Sequence, residues 1–201
     1  MYKIKDSLLE TQSNKEKSDF SFIITLLVMT LVMTVIIFLS QFVFFNVSVS
    51  GKSMEPTLHT NDMIVANRLK ESKKGDIVII SGEKSYWLVK RVIATSGDEI
   101  MFDESGYVFI NGQKYKDEFG LALHLYHDVQ FEIGKTYLLE EDEIFYLGDN
   151  RNASSDSRDL GTCRESQIVG VVETWSINNA FLNTVHLFGQ KIKGLINKMN
   201  K

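Results

Sequence analysis

The feature that most constrains this sequence is one uncharged, strongly apolar segment near its N-terminus. No charged side chain occurs in the 32 residues from 20 to 51. Within them, the 24 residues 22–45 are apolar apart from Thr, Ser and Gln. A helix rises about 1.5 Å per residue, so this segment can cross the hydrocarbon core of a bilayer, which is roughly 30 Å thick. We therefore predict a transmembrane anchor over residues 20–46.

A buried core helix or a cleavable signal peptide would fit the apolar segment less well than an anchor. A core helix of a soluble protein has a polar stripe, and this segment has none wide enough. The apolar region of a cleavable signal peptide is shorter, about 7–15 residues. Basic residues beside a span favour the cytoplasmic side, and four precede this one: Lys3, Lys5, Lys15 and Lys17. We expect a single-pass protein of the cell membrane, with a cytoplasmic N-terminal segment (1–19) and the rest of the chain on the extracytoplasmic side.

Composition limits the kinds of site that the remaining chain can form. The formal net charge of −4 argues against nucleic acid as a partner. A single cysteine, Cys163, excludes an internal disulfide and a multi-cysteine metal site. His124 and His127 have no third ligand nearby, so we expect them to be surface residues. We expect no metal and no cofactor.

Short runs of β-branched and aromatic residues follow the anchor and predict strands. Asn111-Gly112 is a strong signal for a two-residue hairpin turn. No helical period of useful length occurs between 52 and 180. We predict a mostly β protein, in which an antiparallel β-sheet domain (47–180) carries a peripheral β lobe at about 100–143 and is preceded by one transmembrane helix. The runs lie at 63–69, 76–81, 86–94, 107–110, 113–116, 136–139, 144–147 and 168–177.

The C-terminal tail, residues 181–201, contains four Lys and no acidic residue. Apolar residues are interspersed with these lysines. Two interpretations stay open, a basic amphipathic segment on the membrane surface or a frayed, solvated terminus.

The first segment with possible chemistry is 51–58, directly after the anchor. Pro56, the only proline of the chain, fixes its own φ and biases Glu55 towards extended geometry. We therefore expect Ser53 at a rigid corner between a strand and a turn, with Gly51 allowing a close approach of backbone or substrate. A serine near a turn is by itself more often a capping or turn residue.

The second segment is the predicted strand that contains Lys90 and Arg91. Successive side chains of a strand point to opposite faces, so if one face is buried, one of these two cations is buried with it. A buried lysine tends to lose its proton, and the neutral amine is then a general base. The alternative, an exposed edge strand with both cations solvated, stays open on this segment alone.

The third segment, 148–159, follows an apolar predicted strand. Its twelve residues include three acids, two Arg, two Asn and three Ser. A calcium loop is disfavoured, because Arg151 stands where such a loop needs an oxygen ligand. We interpret the segment as a hydrogen-bonded support for a site.

Together these segments resemble the bacterial type I signal peptidases, which are membrane-anchored serine proteases with a Ser–Lys dyad. The resemblance covers the anchor and four ordered blocks: SMEPTL at 53–58, KGDIVI at 74–79, KRVIATSGD at 90–98 and GDNRNASSDSR at 148–158. It implies that the β domain is catalytic and removes N-terminal signal peptides after an Ala-x-Ala-like site. The short chain, single anchor and Gly51 are similar to Gram-positive members.

The resemblance also assigns roles to individual residues. It implies that Ser53 is the nucleophile, that Lys90 is its general base and that Ser154 orients Lys90. Gly51 stands where Gram-negative members have a serine that helps bind the oxyanion, so the Ser53 N–H would do most of that work. Asp156 is expected to pair with both Arg158 and Arg91. The remaining motif positions are Met54, Pro56, Asp149 and Asn150.

The implied partners are preprotein signal peptides, membrane phospholipid and the secretion translocon. The chain departs from the family pattern at Ala94 and Ser96, where the family has Gly and Pro. Two alternatives remain: a dedicated peptidase for one pilin or conjugation substrate, and a catalytically silent homologue that serves as a scaffold for surface fibres.

Overall fold

The computed structural model describes residues 2–82, 86–116, 118–119 and 131–199, with side chains from residue 19 onward apart from those of residues 195 and 199. The chain divides into two compact units, Met1–Val43 and Phe44–Lys201. His124 and His127 lie outside the described residues. The helices are α1 (Tyr2–Val43), α2 (Ser157–Leu160) and α3 (Ala180–Met199). The strands are β1 (Phe44–Ser48), β2 (Met63–Asn67), β3 (Ile77–Ser81), β4 (Trp87–Thr95), β5 (Glu99–Phe102), β6 (Val108–Ile110), β7 (Gln113–Lys114), β8 (Thr136–Leu138), β9 (Glu143–Leu147), β10 (Cys163–Arg164) and β11 (Ile168–Val172).

The first unit is the helix α1. Its part Asp19–Val43, 25 residues with a mean hydropathy of 3.0, is long and apolar enough to cross a membrane. The helix ends before the predicted limit of the anchor at residue 46. Phe44–Ser48 alternates exposed and half-buried side chains, the period of a strand, and pairs with β2. The last residues of the predicted anchor therefore belong to the sheet.

The second unit is built on a seven-stranded antiparallel sheet with the order β1-β2-β11-β3-β4-β9-β10. Both faces of β3 are covered. Ile77 and Ile79 belong to one buried cluster, and Val78 and Ile80 to another. The mostly β architecture predicted from the sequence is confirmed.

A second, four-stranded antiparallel sheet has the order β7-β6-β5-β8. Its strands lie between Glu99 and Leu138, largely within the region predicted as a lobe. Phe102 packs edge-on against Phe145 of β9, with ring centroids 5.9 Å apart, so the two sheets share one apolar core. Asn111 and Gly112 both have positive φ and form the predicted hairpin turn between β6 and β7.

Two helices accompany the sheets. The single turn of α2 was not predicted, because four residues carry no helical period. Its N-cap is Asp156, whose side chain accepts a hydrogen bond from the Arg158 N–H. The tail forms a regular 20-residue helix, α3. The interpretation of residues 181–201 as a frayed terminus is therefore wrong as far as Met199, and contact of this segment with a membrane surface stays a prediction.

Candidate active site

Ser53 lies in the turn that connects β1 to β2. The next residue, Met54, is 1% exposed, and Leu58 is fully buried in the same apolar cluster. The Leu58 N–H donates to the Met54 carbonyl at 2.9 Å. These two side chains fix the turn against the core, while Ser53 itself is half-buried. The turn therefore holds a serine hydroxyl at the border of the core without enclosing it.

Gly51, at the start of this turn, has φ of +95°, in the left-handed region. A Cβ added there would meet no described atom within 4 Å. The backbone conformation, rather than lack of space, therefore favours glycine at this position.

Lys90 is buried in the middle of the main sheet. β4 lies between β3 and β9, so the alternative of an exposed edge strand is wrong. Lys90 is 2% exposed, and its Nζ donates to Ser154 Oγ at 2.9 Å. Burial lowers the pKa of Lys90 to about 8, although the Asp156 carboxylate acts in the opposite direction. A substantial fraction of this amine is neutral at mildly alkaline pH.

The segment 148–159 is cross-linked by its own side chains. Asp156 forms an ion pair with Arg158, with Nε and Oδ1 2.7 Å apart. The second carboxylate oxygen of Asp156 accepts a hydrogen bond from the Gly148 N–H at 3.0 Å. Arg151 donates to the Gly148 carbonyl, and Arg158 Nη2 donates to the Arg151 carbonyl at 2.9 Å. The segment is therefore held in one conformation and carries Ser154 to Lys90.

Arg91 pairs with Asp149, which corrects the expectation that it would pair with Asp156. Two hydrogen bonds join them, from Nε to Oδ1 at 2.8 Å and from Nη2 to Oδ2 at 2.6 Å. The strand register accounts for this partner. Arg91 lies opposite Leu147 on β9, two residues before Asp149, while Asp156 is engaged by Arg158.

Asp149 also binds the turn that contains Ser53, a role that its motif position alone did not indicate. Thr57 Oγ1 donates to Asp149 Oδ2 at 2.6 Å. Asn150 adds two contacts to the same turn, from its N–H to the Ser53 carbonyl at 3.0 Å and from its side chain to the Lys52 carbonyl at 3.1 Å. The segment 148–159 therefore fastens the Ser53 turn to β4.

Gly148 marks the point at which the predicted site residues meet. A Cβ at this position would overlap both Ser154 Oγ and the Ser53 carbonyl oxygen. Ser53 and Ser154 therefore lie side by side, and the Lys90 amine is one hydrogen bond further on. In the described residues that amine donates to Ser154 rather than to Ser53.

Of the two departures from the family pattern, Ala94 lies in β4 opposite Phe145, and Ser96 lies in the turn that follows β4. Asp98 closes this turn by accepting a hydrogen bond from the Thr95 N–H at 2.9 Å. Burial alone would raise the pKa of Asp98, but hydrogen bonds from Lys74, Thr95 and Asn111 lower it. Lys74, 2.6 Å from the carboxylate, links this turn to the block KGDIVI. The turn is therefore closed without a proline.

The sequence pattern of this chain matches a known family. The family model described as signal peptidase, peptidase S26 matches residues 21–176, which include the apolar part of α1 and all of the residues of the site. The chain belongs to the S26 family of signal peptidases.

Two bacterial signal peptidases match the sequence of this chain over most of their own length. Signal peptidase I P of Bacillus subtilis subsp. natto is 33% identical over 171 residues, covering 80% of this chain and 92% of the relative. Signal peptidase IB of Staphylococcus aureus strain N315 is 31% identical over 156 residues, covering 69% and 81%. A solved signal peptidase I from Enterococcus faecalis has a TM-score of 0.40 and 22% identity, covering 52% of this chain and 98% of that chain. The assignment to the S26 family therefore rests on the sequence matches.

Replacing Gly148 with alanine is expected to disturb the S26 site from within. The added Cβ must displace Ser154 or the Ser53 backbone, which we expect to lower the free energy of unfolding by about 1–3 kcal/mol. Urea unfolding of the purified chain measures this change. Gly189→Ala in α3 is the matched control, because nothing lies within 4 Å of its added Cβ. Equal effects of the two substitutions would contradict the packing described here.

Breaking the buried Asp149–Arg91 pair should cost far more stability than breaking an exposed pair. Asp149→Asn leaves a largely buried guanidinium without its carboxylate and is expected to cost about 3–5 kcal/mol. Glu132→Gln breaks an exposed pair with Lys135 and is expected to cost less than about 1 kcal/mol. Thermal and urea unfolding of both variants test the difference. An Asp149→Asn variant as stable as Glu132→Gln would show that the pair does not hold the site together.

Proposed function

We propose that this chain is a membrane-bound serine endopeptidase that removes N-terminal signal peptides from secreted preproteins after an Ala-x-Ala-like site. Ser53 is the nucleophile and Lys90 is the general base. The observation that carries this proposal is the buried Lys90 amine, hydrogen-bonded to Ser154 beside the Ser53 turn. A lysine in this environment can be neutral near physiological pH, as a general base must be.

The proposed reaction proceeds through an acyl-enzyme. Neutral Lys90 accepts the proton of Ser53 Oγ as that oxygen attacks the scissile carbonyl carbon. The Lys90 ammonium then donates this proton to the leaving nitrogen, and the C–N bond breaks. A water molecule, deprotonated by Lys90, attacks the ester and releases the signal peptide. The Lys90 ammonium then returns a proton to Ser53 Oγ, which restores the free enzyme. Ser154 is a positioning residue, since it holds the amine by a hydrogen bond.

The oxyanion of the tetrahedral intermediate needs a hydrogen-bond donor. Within the described part of the chain, the Ser53 N–H donates to no acceptor, so it is available for this purpose. One such donor typically stabilises the transition state by roughly 3–4 kcal/mol. Gly51 has no hydroxyl that could add a second donor.

The substrate is proposed to bind as an extended strand beside the site. Small side chains at the first and third positions before the cut would fit shallow apolar pockets. Phospholipid and the secretion translocon are the further partners that we propose, since the apolar part of α1 is long enough to cross the cell membrane. We propose a cytoplasmic N-terminus and an extracytoplasmic β domain, from the lysines that precede the span.

The scaffold alternative is disfavoured by the contacts of the site. A silent homologue has no need of a buried lysine, which is costly to maintain. Here Lys90 has a partner, Ser154, and the segment that carries Ser154 is held by its own hydrogen bonds. A dedicated peptidase for one substrate would use the same dyad and differs only in its substrate range.

Substitutions in the dyad test the proposed chemistry. Ser53→Ala and Lys90→Met are each expected to lower cleavage of a preprotein with an Ala-x-Ala site by more than about a thousandfold. The assay uses the full chain in detergent and follows the size of the product. Full activity in either variant would overturn the dyad.

Stability measurements separate lost chemistry from lost folding. Burial of the Lys90 ammonium costs about 3 kcal/mol below pH 8, judged from the fall in its pKa from 10.5 to about 8. Lys90→Met removes that cost, so its melting temperature at neutral pH is expected to equal or exceed that of the wild type. If Lys90→Met is inactive and has a much lower melting temperature than the wild type, unfolding and not lost chemistry explains the loss of activity.

The pH dependence of kcat/KM should follow the ionisation of the general base, Lys90. Because the neutral form of Lys90 is required, kcat/KM is expected to rise about tenfold per pH unit and to level off above about pH 8. Asp159 raises the pKa of Lys90, so Asp159→Asn should move the rising limb to lower pH. Glu141→Gln, an exposed acid elsewhere, is the matched control and should not move it. A limb that shifts equally in both variants would belong to another group.

A further inference from the structure

The helix α3 exposes an apolar face. Five large apolar side chains recur along it at intervals of three or four residues, which places them on one side of a helix. Each is between 42% and 74% exposed. They are Phe181, Val185, Phe188, Ile192 and Ile196.

The opposite side of α3 rests on the β domain through polar contacts. Asn183 Oδ1 accepts a hydrogen bond from the Met63 N–H at 2.7 Å, and its Nδ2 donates to Asp62 at 3.2 Å. His186 Nε2 lies 3.4 Å from Ser48 Oγ. A surface helix of a soluble protein normally has the reverse arrangement, with its apolar side on the core. The apolar face of α3 is therefore oriented away from the domain that holds the helix.

The charges of α3 all have one sign. Lys191 and Lys198 border the apolar face on one side and Lys193 lies beyond its other side, as the 100° advance per residue places them. No Asp or Glu occurs from 180 to 201. Two copies of α3 that met face to face would bring like charges together, whereas an anionic surface would be attracted.

We propose that α3 is a second membrane contact of this protein, which binds anionic phospholipid with its apolar face in the boundary between headgroups and acyl chains. An amphipathic helix with aromatic and aliphatic residues on one face and lysines beside it binds membranes in this way. Its lysines lie at headgroup level and interact with lipid phosphates. This binding surface is distinct from the Ser53 site and does not depend on the proposed peptidase activity.

The test places an environment-sensitive fluorophore on either face of α3 in the full chain. Phe188→Cys puts the label on the apolar face, and Gln190→Cys puts it on the polar face. Cys163 is 5% exposed and burial raises its pKa to about 12, so the native thiol is protected from labelling. Each labelled chain is reconstituted into vesicles that contain a quencher attached to lipid acyl chains.

The expected result depends on both position and lipid charge. In vesicles of phosphatidylcholine with roughly one third phosphatidylglycerol, the label at 188 should be quenched about threefold more than the label at 190. Without phosphatidylglycerol this difference should become smaller. Equal quenching at the two positions in the anionic vesicles would overturn the proposal. So would a label at 188 that lipid does not quench but that transfers energy to a second copy, since another protein would then cover the face.

Charge variants test the role of the lysines. Replacing the three lysines of α3 with glutamine should reduce the quenching at 188 in anionic vesicles to its level in neutral vesicles. The matched control replaces three lysines outside α3 and should leave the quenching unchanged. Equal quenching in both variants would overturn the role of headgroup charge. The test set is Lys191→Gln, Lys193→Gln and Lys198→Gln, and the control set is Lys73→Gln, Lys114→Gln and Lys135→Gln.

Discussion

Burial of the Lys90 amine is the constraint on which most of the surrounding structure depends. An amine on a central strand, 2% exposed, loses the hydration that would stabilise its charge. That loss is sustained only if neighbouring elements exclude water from the site and still offer one polar partner, which Ser154 does. The segment 148–159 supplies that partner, and its internal hydrogen bonds hold Ser154 at the amine.

Two ion pairs give that segment its shape, and their roles differ. Asp156–Arg158 is internal to the segment and sets the position of Ser154. Asp149–Arg91 joins the segment to β4, while Thr57 ties the same carboxylate to the Ser53 turn. Buried ion pairs contribute little net stability compared with apolar packing, but removing one partner is costly. In this site the two ion pairs matter because they fix positions, since the Ser53 hydroxyl and the Lys90 amine come from segments that are far apart in the chain.

Much of the sheet could be predicted from the sequence, since runs of β-branched and aromatic residues such as 76–81 and 144–147 coincide closely with β3 and β9. The strand β10 was missed because two residues carry no pattern, and β5 was missed because its apolar run, 100–102, is only three residues long. The partner of Arg91 could not be predicted either. It depends on the register of β4 against β9, which includes an irregularity between Val92 and Ala94. The face of β4 that is buried was likewise open, because burial of Lys90 depends on what packs on that face of the sheet and not on the sequence of the strand.

The contacts that assemble the site join residues far apart in the chain. Lys90 and Ser154 are 64 positions apart, Thr57 and Asp149 are 92, and Lys52 and Asn150 are 98. Closing such long loops costs entropy that only the completed sheet offsets. During synthesis, a chain that has emerged only as far as β8 already contains the serine and the lysine but has no site. The site therefore cannot form before the segment 148–159 has emerged, because the contacts that join the Ser53 turn to β4 all come from that segment.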